Sequence, residues 1–205
     1  MKAIAVGAST RFASAEELIG KLREVSKARH VVLQAFNPDA VLSPRHIVFS
    51  FFQAFKAFET GRSFSRSLAN EWLLRAAATR SMEEAIRKIG VIDPTRIVLG
   101  IAAKRPNAKS ILAALGAEKS VFPKPTPKKI SRIEKLFGVR AAACPLEELL
   151  LEKIALLELE RSEPRRGSAP PQFQVPPDPP QSEPPARFQR GGKVKDEGGI
   201  LPPFV

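Results

Sequence analysis

The chain has 205 residues, with 33 Lys+Arg against 21 Asp+Glu and a net charge of +12. One Cys (Cys144) excludes a disulfide framework, and one Cys with two His falls short of the roughly four ligands of a classical zinc site. No run reaches the ~18–20 apolar residues of a membrane span, and MKAIAVGASTRF turns polar too soon for a signal peptide. A soluble intracellular protein with an anionic partner, most often nucleic acid, is the expectation.

KAIAVGA (2–8) reads as a buried strand. Ser14 and Glu17 form a capping box, and Leu18, Ile19, Leu22 and Val25 give the apolar face of the helix behind it. HVVLQAF (30–36) is a second strand, broken by Asn37-Pro38-Asp39. Ser43-Pro44 starts a helix with Ile47, Phe51, Phe55 and Phe58 on one stripe and Val48 and Phe52 beside it. That load of Phe reads as a central core helix rather than a stacking platform for nucleobases. Two helices follow at 67–78 and 81–89, capped by Ser67 and by the Ser81–Glu84 box, around a corner at Thr79-Arg80. RIVLGIAA (96–103) is a buried strand, 107–115 a helix ended by Gly116, and 120–122 a short strand. Thr126-Pro127 opens a helix with Ile130, Ile133 and Leu136; 139–143 reads as an edge strand and 145–160 as a Leu-rich helix. The order β-α-β-α-α-α-β-α-β-α-β-α implies an α/β chain, α+β in type: one domain with a mixed β-sheet covered by helices.

Residues 162–205 hold eleven of the 19 Pro and five of the 12 Gly, with no helical or alternating period. They read as a disordered, polyproline-like tail, which leaves 1–161 as the folded domain. Charge is uneven: 1–103 carries +6, 104–140 carries +8 and 141–161 carries −3. The block from Lys104 to Arg140 is therefore the expected phosphate-facing region.

The sequence offers no GxxxxGK[ST], GxGxxG or GxSxG motif. Cys144 has no neighbouring base, and His30 and His46 read as polar edge residues. Glu83 and Glu84 diverge on a helix and serve its cap. Nothing assembles an acid, a base and a nucleophile, so the reading is not an enzyme, with no cofactor.

The stretch 42–91 is more specific. It carries the Ser43-x-x-His46 helix start, Ala and Phe at helical spacing, then Gly61, Ser63, Ser67 and Leu68. After these come Glu71, Leu73 and Leu74, and a last helix with Met82, Ala85, Ile86 and Gly90. This ordered set resembles the small kinase-binding subunit of the KEOPS complex, the family of the PRPK-binding protein and its archaeal and fungal counterparts. The departures are Ser63-Phe64-Ser65 at one turn, Ala78–Met82 at the corner, and the Pro-rich tail. Low Asn, Gln and Cys usage with many Arg is compatible with a thermophile and an archaeal setting.

The resemblance implies a non-catalytic, cytoplasmic subunit that binds and regulates an atypical kinase/ATPase. It also implies help in recruiting tRNA by its 3′ CCA end for threonylcarbamoyladenosine formation at position 37, with contact to other KEOPS subunits only indirect and no membrane partner. A single-stranded end needs stacking platforms and a basic groove. Arg66, Arg75, Arg80, Lys104 and Arg105 are the expected tRNA-binding residues. Trp72, Leu74, Met82 and Ile89 are the expected kinase interface, because an interface buries apolar anchors. The alternative is a general basic RNA-binding domain without a kinase partner, and the third reading is a small α/β enzyme.

Overall fold

The computed structural model describes residues 1–141 and 144–159. In chain order the elements are β1 (Lys2–Ser9), α1 (Ala15–Arg29), β2 (Val32–Phe36), α2 (Pro44–Glu59), α3 (Leu68–Ala76) and α4 (Met82–Ile89). β3 (Arg96–Ala103), α5 (Ala108–Leu115), β4 (Glu118–Ser120), α6 (Pro127–Phe137) and α7 (Leu146–Leu159) complete them. The α+β architecture expected from the sequence is present, with helices covering one four-stranded sheet.

Local chemistry sets the boundaries. The hydroxyls of Ser14, Ser43, Ser81 and Thr126 and the Asn107 side chain each accept an N–H from the first turn of their helix. Ser67 departs from expectation: it stands at the start of α3, but its side chain makes no cap bond. His30 is no strand residue; it closes α1 in the left-handed region at φ 51°.

The strand order is β2-β3-β1-β4, and every neighbouring pair is antiparallel. This corrects the expected mixed sheet. β1 and β2 do run in the same direction, since Lys2 faces Ala103 and Val32 faces Ala102. β3 inserts between them because α2 and α3 form an out-and-back pair. His46 at the start of α2 bonds the carbonyl of Ala76 at the end of α3. The amide of Asn37, just past β2, donates to Ile89 at the end of α4. The chain thus re-enters the sheet at the end where it left and runs back alongside β2. The short strand lies at 118–120 rather than 120–122. Residues 139–141 form no strand, while 142, 143 and the tail 162–205 lie outside the described residues.

Period-2 alternation sends Ile97, Leu99 and Ile101 to one face, against α1 and α5. Val98, Gly100 and Ala102 face α2, α3 and α4. A third layer, α6 and α7, packs on the outside of α2 through Phe49, Ile133, Phe137, Leu150 and Ile154.

Trp72 ties these layers together. It is fully buried, and its Nε1 donates to the Ile47 carbonyl at 2.9 Å and to Ser50 Oγ at 3.2 Å. Its ring lies over Gly100: a Cβ there would stand 2.5 Å from the indole edge. The glycine inside RIVLGIAA is therefore the seat of an indole. Gly100→Ala forces Trp72 off this seat and is expected to cost about 1–3 kcal/mol, read as a lowered denaturation midpoint with an unchanged slope.

Candidate functional site

Residues 61–67 join α2 to α3 and are held from beneath by a buried charge network. Glu71 and Arg75 sit one turn apart on α3, both fully enclosed. Glu71 Oε1 accepts Arg75 Nε at 2.9 Å. Its Oε2 accepts the backbone N–H of Phe64 at 2.7 Å and of Ser65 at 2.9 Å. Arg75 Nη1 donates to Glu158 of α7 at 2.7 Å, and Arg62 reaches the same carboxylate at 3.8 Å. The Arg75 and Arg80 guanidinium carbons stand 4.7 Å and 5.4 Å from the Phe64 ring centroid. Glu71 thus fixes the loop backbone while Arg66 projects from it into solvent.

The residues expected to meet RNA separate into three groups. Arg75 is a structural cation: its buried charge is consumed by Glu71 and Glu158, which removes it from any RNA contact. Arg66 and Arg80 are exposed and belong to the Phe64 surface. Lys104 and Arg105 are also exposed, but they follow β3 where Ala103 pairs with Lys2, and so extend a separate basic strip at the start of β1.

The expected kinase contacts fare differently. Trp72, Leu74 and Ile89 are core residues between sheet and helices, so they present nothing to a partner in this fold. Met82 is half-buried against the same core. The apolar surface of this region comes from residues that the sequence reading did not place at the kinase interface. Ile86 on α4 is 55% exposed, and Ile92 in the following loop is 67% exposed. The signal was readable: Ala85 and Ile89 share one face of a short helix, and Ile86 stands about 100° away from Ala85.

His46 is fully buried rather than a polar edge residue. Its Nε2 lies 2.9 Å from the Ala76 carbonyl, which can only accept, so Nε2 carries the proton and Nδ1 is left without a partner. Burial pushes its pKa down from 6.5 to about 4, and the bond to Ala76 only partly opposes this. A depressed folded pKa means that the unfolded chain binds the extra proton first as pH falls. Stability is then full above about pH 6.5 and is lost as pH drops toward about 4. His46 alone is expected to remove about 2 kcal/mol between pH 7 and pH 5, and His46→Gln should flatten that part of a stability–pH profile. Glu71→Gln leaves the Arg75 charge under-compensated and should cost on the order of 3 kcal/mol, measured by denaturant unfolding.

Among the described residues no group of three His, Cys, Asp or Glu is placed to hold a metal ion, and no helix is long and apolar enough to cross a membrane. A surface cavity of about 420 Å³ lies between Leu42–Pro44, Phe122–Pro125, Ile130 and Leu146, and its lining is mostly apolar.

Residues 12–158 match the family described as kinase binding protein CGI-121. The chain belongs to this family. It is also 31% identical over 130 residues to the regulatory protein Cgi121 of Methanocaldococcus jannaschii, spanning 62% of this chain and 84% of that relative. The matched region runs from just before α1 into the end of α7 and contains both the Phe64 loop and the Ile86–Ile92 surface. The family assignment thus places the chain among kinase-binding regulatory proteins.

Proposed function

We propose that this chain is a non-catalytic subunit of a KEOPS complex, binding and regulating the atypical kinase/ATPase subunit and helping to recruit tRNA for modification at position 37. The observation that carries the kinase half is the exposed Ile86, on a short helix otherwise lined by Glu83, Arg87 and Lys88, with the exposed Ile92 in the loop that follows. Solvent-facing Ile residues ringed by charges have the anatomy of an interface core with its polar rim. They replace Trp72, Leu74 and Ile89 as the anchors, and Met82 stays as a flanking contact.

The tRNA half draws on the basic surface. Phe64 is a half-buried ring already flanked by guanidinium groups, with Arg66 beside it. Such a pairing of ring and cations suits an unstacked base and its phosphate. Lys104 and Arg105 add a second cationic strip that steers RNA without fixing its register. A cytoplasmic setting accords with this role.

Two measurements test the halves separately. Ile86→Glu should abolish co-purification with the kinase while the melting temperature stays near wild type, because the side chain is exposed. Retained kinase binding would remove the α4 surface from the reading. For RNA, binding to one tRNA with and without its 3′ CCA should differ, and Arg66→Ala with Arg80→Ala should weaken the intact RNA by roughly tenfold and flatten the salt dependence. Equal binding of both RNAs would leave the general RNA-binding alternative standing.

A further inference from the structure

Among the described residues, on the side away from β3, β1 is paired only along Gly7–Ser9, by β4. The chain then leaves that lane at Val121, whose carbonyl oxygen crosses close over Gly7: a Cβ on Gly7 would stand 2.8 Å from it. Among the described residues Lys2–Val6 therefore form a free sheet edge, with the N–H and C=O of every second residue turned outward. Lys-Ala-Ile-Ala-Val contains no Pro, and its charge stands at the first position only, so nothing in it blocks strand addition.

Helix α2 packs over β1 and carries two distinct rows. One row, with Ile47, Ser50, Phe51 and Ala54, is buried toward the sheet and α3, while Phe49 faces α6 and α7. The other row is Arg45, Val48, Phe52, Phe55 and Glu59. Because α2 sits over β1 and α3 over β2, this row, on the side of α2 away from α3, lies on the flank nearer the free edge of β1. Its spacing is three, four, three, four, the seam of a helix that expects another helix. Arg45, Phe52 and Glu59 are exposed, and Phe52 is 47% open; Val48 and Phe55 are half-buried.

We infer that this flank is the interface of a homodimer. β1 pairs antiparallel with β1 of a second copy about a two-fold axis perpendicular to the sheet, and that axis keeps both α2 helices on the same face. The helices then pack antiparallel, centred on Phe52. The surface is complementary to itself in charge. Arg45 and Glu59 stand two turns before and two turns after Phe52, so each Arg45 meets Glu59 of the other copy; a parallel pair would set Arg45 against Arg45. The α7 carboxylates Glu147 and Glu148 already hold Arg45 at 3.5 Å and 2.5 Å. An isologous contact of this kind is the commonest closed assembly.

Sedimentation and light scattering on the 205-residue chain, across the micromolar range, decide the matter. The expected result is a dimer that Phe52→Glu weakens by roughly tenfold or more, the effect of losing an interface anchor, with an unchanged melting temperature. Glu59→Arg alone should weaken it, because it sets an Arg against Arg45 across the axis, and Glu59 is exposed. This variant decides the question even if Phe52→Glu does not fold. Ile86→Glu should leave the mass unchanged, since Ile86 lies with α4 on the β2 side of the sheet. A wild-type chain that stays monomeric throughout, or a dimer that neither Phe52→Glu nor Glu59→Arg weakens, overturns the inference.

Discussion

The contact between Trp72 and Gly100 is the constraint on which the helical face of the sheet depends. The missing side chain at Gly100 lets an indole lie directly on the middle strand, where it also meets Phe36 and Phe51 edge-on at centroid distances of 5.7 Å and 4.8 Å. The polar end of the same ring bonds α2. One side chain on α3 thereby sets the height of α3 over β3 and its register along α2. That register brings the end of α3 to His46 and leaves Arg75 level with Phe64.

Charge on this protein has two uses that look alike in sequence. Glu71 and Arg75 form an i, i+4 pair, which on most helices would be a solvated pair of little consequence. Here the pair brackets the apolar run Trp72-Leu73-Leu74, and all nine residues from 71 to 79 are buried. Its work is to hold two amides of the preceding loop and one carboxylate of α7. Arg66 is exposed on the loop whose backbone Glu71 fixes, so its place beside Phe64 is set by that bonding.

The elements of the fold were readable because local chemistry specifies them. Ser-x-x-Glu boxes, Ser-Pro and Thr-Pro starts, and Gly stops place helix ends within a residue or two, and RIVLGIAA is bounded as expected. Strand partnership was not readable, since β1 and β2 share a direction and only the return path of α2 and α3 shows that β3 enters between them. The candidate site was read by composition, which finds cations and apolar residues but not their depth. Trp72, Leu74 and Ile89 lie on the faces that α3 and α4 turn to the core, while Ile86, no less apolar than Ile89, lies off that face. Ile86 and Ile92, left over once the core is full, are the ones that reach the surface.

The insertion of β3 between β1 and β2 has a consequence for how the chain acquires its structure. The first two strands do not touch, so a growing chain has no sheet until residues 96–103 arrive. Every strand pairing along β3 spans at least 60 positions, as between Phe36 and Val98. Contacts of such separation must close long loops before they contribute, which slows folding relative to a helical bundle of similar size. During synthesis, α1, α2 and α3 form early, while the apolar faces of β1 and β2 wait for the central strand, and the emerging chain is most exposed to misassociation in that interval.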